Sequence, residues 1–213
     1  MTSPFRFRWY PAIAGLVGIL VSTGCAMMAP TSDSYVPPPL GSTWTTVSVS
    51  TGSYGSGSRS VDSKRGERMW NGSQVITFES PSGTVISDAK GQWMGFYVGD
   101  KPMLLWDPPL GYQWPLQVGK TWTSSHRGTN NFINKVVSFD LTVRVEAYEE
   151  VTVPAGTFKT FRVKGVDTIG NESTEWFSPD LGIFVKRSLK RAANNPNGVG
   201  TQETEITAQD IRK

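Results

Sequence analysis

Beyond residue 40 the apolar residues recur at every second position in short bursts, and no helical period is sustained. The clearest burst is FDLTVRVEAYEE, where Phe139, Leu141, Val143, Val145 and Ala147 alternate with Asp140, Thr142, Arg144 and Glu146. Successive strand side chains point to opposite faces, so the pattern predicts a strand with one apolar and one wet face in an antiparallel sheet. VPAGT follows, with Pro154 suited to the first central position of a turn and Gly156 free to take a positive φ, which predicts a three-residue hairpin loop. Residues 158–166, FKTFRVKGV, form the return strand. The same grammar runs upstream through RMW, Asn71-Gly72, QVITFE, SPSG, TVISDA, QWMGFYV, GDK and PMLLW. Downstream it runs through STEWF, SPDLG, IFVKRSLKR, NNPNG and TQETEIT.

Short strands between turn residues predict an all-β fold: a single antiparallel, strongly curled sheet or half-open barrel, with a β-sandwich as the alternative. Residues 48–66 are rich in Gly and Ser and poor in apolar groups, and a mobile loop is expected in their middle. Gly41-Ser42-Thr43-Trp44-Thr45 is echoed by Gly119-Lys120-Thr121-Trp122-Thr123, and Pro81-Ser82-Gly83-Thr84 by Pro154-Ala155-Gly156-Thr157, which raises the question of an internal duplication.

The first forty residues follow a different pattern. Arg6 and Arg8 precede the apolar run 12–21, which falls short of the roughly 20 residues a spanning helix needs. Ser22, Thr23 and Gly24 supply small side chains, and Cys25, the single cysteine of the chain, comes directly after them. This stretch resembles a bacterial lipoprotein signal, with Ser22 where Leu is more usual. The resemblance implies removal of residues 1–24, a signal helix, and acyl chains on Cys25 that anchor the chain to a membrane. A lone thiol has no internal disulfide partner in an oxidising compartment, and lipidation accounts for it. Ala26 stands where Asp would signal inner-membrane retention in such lipoproteins, which implies the outer membrane, with the domain facing the periplasm. Residues 25–40 are expected to form a lipidated N-terminus and Pro-rich spacer, and residues 41–213 the β domain.

Charge narrows the partners. The chain has 21 basic and 18 acidic residues, and loss of Arg6 and Arg8 with the signal leaves 19 basic ones, so the mature domain is nearly neutral and no nucleic-acid partner is expected. PLQVGKTW, VTVPAGTFKTFRV and EWFSPDLGIFVKR are similar to recurring phrases of bacterial envelope proteins of unknown function whose antiparallel sheets curl toward a barrel. This resemblance covers roughly residues 110–190 and speaks to fold.

No catalytic constellation is visible. His126 is the sole histidine, and with Cys25 lipidated a zinc site with its usual ligands is excluded, so no metal and no cofactor is expected. No Gly-x-Ser-x-Gly elbow surrounds any serine, and His126 is expected to be a hydrogen-bonded loop residue. Glu149-Glu150 and the same-face pair Glu203 and Glu205 have the spacing for divided acid and base roles, and equally that of solvent-facing strand residues, which is the expectation. DPPLG at Asp107 lacks calcium-loop spacing.

Aromatic crowding is the remaining signal: Trp93, Phe96, Tyr97, Trp106, Tyr112, Trp114 and Trp122 fall within one short span. A curled sheet so lined is expected to have a filled interior. The alternative is a ligand cavity at Trp93, Trp106, Trp114 and Trp122. The functional expectation is a lipid-anchored, non-enzymatic interaction or binding module, whose partner is an envelope protein or an apolar small molecule. A half-open-barrel carrier or sensor of a lipid-like ligand comes second, and a carboxylate-dependent hydrolase third.

Overall fold

The structure, a computed structural model, describes residues 30–53 and 55–212; the signal segment 1–24 and Cys25 lie outside the described residues. Fourteen strands follow one another, with no helix among the described residues. The first seven are β1 (Thr31–Ser32), β2 (Thr43–Gly52), β3 (Gly57–Trp70), β4 (Ser73–Ser80), β5 (Gly83–Ser87), β6 (Trp93–Val98) and β7 (Lys101–Leu110). The rest are β8 (Leu116–Gln117), β9 (Thr121–Asn130), β10 (Lys135–Val153), β11 (Gly156–Asp167), β12 (Glu172–Ser178), β13 (Ile183–Arg191) and β14 (Gly200–Asp210).

Twelve of them form a closed antiparallel barrel in the order β10-β11-β12-β13-β14-β2-β3-β4-β5-β6-β7-β9, with β9 pairing back onto β10. The fold is therefore all-β, but neither half-open nor a sandwich. The expectation fails because β14 pairs with β2 from Gly200↔Gly52 to Asp210↔Thr43, and β7 pairs with β9, which leaves no free edge. β1 and β8 form a separate two-stranded pair.

Local rules account for most of the hairpins. Asn71 and Gly72, at φ 46° and 79°, form the two-residue turn between β3 and β4, and Trp70 pairs with Ser73. Gly156 has the expected positive φ, 137°, but the loop has two residues rather than three, because Val153 pairs directly with Gly156. Within residues 48–66 the break in the middle is short, since β2 runs to Gly52 and β3 starts at Gly57, and the flanking residues are strand. Hydroxyls substitute there for apolar packing: Ser48 bonds Thr204 at 2.8 Å and Thr51 bonds Thr201 at 2.7 Å. Of the suspected duplication, the local roles recur: Gly41 and Gly119 have φ of 85° and 90°, and both Trp44 and Trp122 are buried. The strand count does not recur. The Pro81 turn joins the third and fourth strands after β1, the Pro154 turn the second and third after β8.

Two apolar clusters fill part of the barrel interior. One joins Leu116, Trp122, Val145 and Phe161; the other joins Trp44, Val185 and Ile206 with Val153 and Ile183. Completely burying a side chain such as Phe161 stabilises the fold by roughly 2–3 kcal/mol. A third cluster, Val75, Ile86 and Tyr97, covered by Trp70, Met94 and Leu105, lies on the other face of β4–β6. The register shows this, because Thr77↔Ile86 and Phe78↔Val85 are neighbouring pairs and so face opposite ways.

Residues 31–40, the C-terminal part of the Pro-rich segment, lie against the barrel. Thr31 pairs with Gln117, the Tyr35 hydroxyl donates to the Gly182 carbonyl at 3.1 Å, and Pro38 is buried. Gly182, at φ 71°, has no side chain because a Cβ there would meet the Val36 carbonyl oxygen at 2.3 Å.

Candidate ligand cavity

A cavity of about 500 Å³ occupies the unfilled part of the barrel. Its walls come from β2 to β7 and β10 to β13, and facing pairs such as Phe78↔Val85 and Val163↔Glu175 both contribute, which places it inside. Trp44, Phe78, Trp93, Leu110 and Phe177 make the lining largely apolar, with Ser63, Ser87 and Ser173 between them. Tyr35, Tyr112 and Trp114 line both this cavity and a second pocket of about 470 Å³ bordered by Ser34, Lys90 and Gln92. Their rings touch one another and Phe177, with Tyr112 and Phe177 centroids 5.2 Å apart, so this aromatic group separates the two spaces.

The four tryptophans of the sequence reading are split between wall and core. Trp93 and Trp114 line the cavity, and Trp114 is held by its indole N–H donating to the Lys90 carbonyl at 3.0 Å. Trp106 lies instead over Gly128, its direct register partner, between the rings of Trp93 and Phe139. Trp122 belongs to the packed cluster around Phe161.

Two charged residues stand in the wall, and both were missed in the sequence. Glu175 on β12 and Arg187 on β13 are register partners, with Arg187 Nε 3.3 Å from Glu175 Oε1. The Tyr112 hydroxyl donates to Glu175 Oε2 at 2.6 Å. Desolvation by burial, then the negative charge of Glu175 and the hydrogen bond to it, push the Tyr112 hydroxyl well above the ordinary tyrosine range. Burial likewise raises Tyr35, against a smaller lowering by Arg65.

The other candidates are engaged elsewhere. His126 is a strand residue on β9 rather than a loop residue, and it is buried. Its Nδ1 lies 3.0 Å from the Pro108 carbonyl, which only accepts, so Nδ1 carries the proton and Nε2 accepts from Ser124 Oγ at 2.7 Å. A main-chain carbonyl thus takes the place a carboxylate has in a hydrolase triad. Glu149 accepts from Trp176 Nε1 and pairs with Arg162; Glu205 pairs with Lys186 at 2.7 Å; Glu203 accepts from Ser188. These carboxylates are held at the outer face of the barrel. No cluster of three or more His, Cys, Asp or Glu able to hold a metal is present among the described residues.

No protein-family model matches the chain, and no curated protein matches it significantly. It is similar to solved structures of bacterial envelope proteins. One is described as an exported protein with a YmcC-like fold from Bacteroides fragilis, 13% identical, with a TM-score of 0.47 over 84% of this chain and 99% of that one. The hypothetical lipoprotein YmcC from Escherichia coli is 12% identical, TM-score 0.44, over 80% and 84%. A lipoprotein from Parabacteroides distasonis is 12% identical, TM-score 0.42, over 84% and 99%. The barrel assignment rests on the strand register above.

Proposed function

We propose that this chain is a non-enzymatic binding module, anchored by acyl chains on Cys25 to the outer membrane and facing the periplasm, and that its barrel carries or senses an apolar small molecule. The observation behind this reading is the cavity of about 500 Å³. Small-molecule sites have roughly 300–1,000 Å³, apolar walls and a few placed polar groups, and this space has all three. A purely protein-binding role makes no use of this apolar pocket, whereas a small apolar molecule seated in it would take its walls out of water. The choice between a filled interior and a cavity therefore favours the carrier over a purely protein-binding module. The docked segment 31–40 shortens the tether between Cys25 and the barrel, which brings the barrel close to the lipid surface.

Native mass spectrometry of the chain purified from its own organism tests the proposal, with a retained small molecule seen as a discrete mass increment. A bare protein mass, together with no uptake of a neutral apolar dye, would overturn it.

A further inference from the structure

Resting on the reading of the cavity as a ligand site, we propose that the ligand is a monocarboxylate amphiphile of the long-chain fatty-acid class, its carboxylate seated on Arg187 and its chain along the aromatic wall.

The donors and acceptors in the wall do not balance. Glu175 already has both oxygens engaged, Oε2 by the Tyr112 hydroxyl at 2.6 Å and Oε1 facing Arg187 Nε at 3.3 Å. Arg187 Nε is buried and makes no hydrogen bond of good geometry. The side chain lines the cavity and is about one-third exposed, and its Nη1 and Nη2, with four N–H donors, make no hydrogen bond seen to a described residue, so they are open to water or to a ligand. Acceptor oxygens of a ligand can therefore take the place of water at these donors. A guanidinium fork presents parallel N–H groups that match the two oxygens of a carboxylate, at about twice the strength of neutral hydrogen bonds.

Charge agrees with this assignment. Among the described residues Glu175 and Arg187 are the only ionised ones in the wall, so the cavity without ligand is neutral. Glu175 approaches Arg187 from the Nε side and shares its charge with Tyr112, which leaves the Nη side as the positive end. The same lining includes Trp44, Phe78, Trp93 and Phe177, which can bury an alkyl chain at roughly 0.8 kcal/mol per methylene. A ligand carrying a cation would meet the wrong end of the pair.

The experiment uses the chain from Ala26 onward, which contains every described residue. Nile red, a neutral apolar dye, is bound first and then displaced by laurate, dodecanol or methyl laurate. Laurate should displace it at a concentration at least about tenfold lower than the alcohol or the ester, as one charge-assisted pair implies. Arg187→Gln should erase that preference, so that laurate and dodecanol displace the dye at similar concentrations. Glu175→Gln, which removes the like charge nearest the site, should tighten laurate several-fold, and it tests the idea even where the Arg187 variant misfolds. Equal displacement by laurate and dodecanol in the wild type, or weaker laurate binding in Glu175→Gln, would overturn the headgroup assignment and leave the cavity reading standing. No dye uptake by the wild type would instead sink both.

Discussion

Gly128 and Trp106 face each other across β9 and β7, and the glycine has no side chain because the indole occupies its space. A Cβ at Gly128 would sit 2.2 Å from Cζ3, 2.4 Å from Cε3 and 2.8 Å from Cη2 of Trp106. Ordinary carbon contacts lie near 3.5–4.0 Å, so in Gly128→Ala the indole must withdraw by about 1 Å or more. Its retreat is blocked on two sides, by the Trp93 ring at 5.6 Å and 63° and by the Phe139 ring at 5.7 Å and 76°. Overpacking of this kind costs about 1–3 kcal/mol. Trp106 is half-buried, so Trp106→Ala should cost about 3 kcal/mol, the lower end for such truncations. In a chain already carrying Trp106→Ala the clash is gone, and replacing the strand glycine by alanine should be neutral or gain roughly 0.5 kcal/mol. The effect of Gly128→Ala therefore changes sign with its partner. Urea unfolding of the two single variants and the double variant measures this, and additivity within about 0.5 kcal/mol would refute the argument that the ring is locked in place.

Three further outcomes are expected. Replacing Cys25 with Ala should abolish incorporation of labelled palmitate, and equal labelling of the variant would remove the anchor from the proposal. Gly156→Val should cost roughly 1–3 kcal/mol through backbone strain at φ 137°, since a Cβ there meets only Phe158 at 3.4 Å; an unchanged urea midpoint would show that the turn tolerates the side chain. Because Tyr112 and Tyr35 have hydroxyls raised above the ordinary tyrosine value of 10.0, the stability they confer is complete below that pH and lost as pH climbs through their folded values. Urea midpoints should therefore fall from about pH 9 to about pH 11, less steeply in Tyr112→Phe, and parallel curves for the two proteins would contradict the assignment.

Residues 139–147 were legible as a strand because one face of β10 is apolar and the other wet, which is the simplest period to see. At the end of that stretch a register shift between Val145 and Ala147 changes the phase, so Ala147 pairs with Arg162 and Tyr148 packs on Phe161 where simple alternation would turn it outward. Closure was invisible for a different reason. The pairing of Asp210 with Thr43 is a contact between ends, and no local pattern in either segment encodes its partner. Of the cavity, aromatic content was readable but geometry was not, since which of Trp93 and Trp106 meets open space depends on a register shift between Trp93 and Gly95. Glu175 and Arg187 could have been found: each occupies the apolar phase of its strand, Glu175 two before Phe177 and Arg187 two after Val185, where a charge needs a partner.

The β14–β2 pairing also bears on the order in which the barrel can be assembled. Thr51 and Thr201 meet across 150 residues of chain, so this ladder is among the least local contacts in the molecule. During synthesis, or passage of the chain with its N-terminus first through a narrow conduit, β2 can pair with β3 early, but its other edge stays open until the final 11-residue strand is free. That open edge is a template for foreign strands for as long as it lasts. A chain that loses β14 would keep most of its residues and yet lose the closure that protects both β2 and β13, and it should be a target for proteolysis and aggregation.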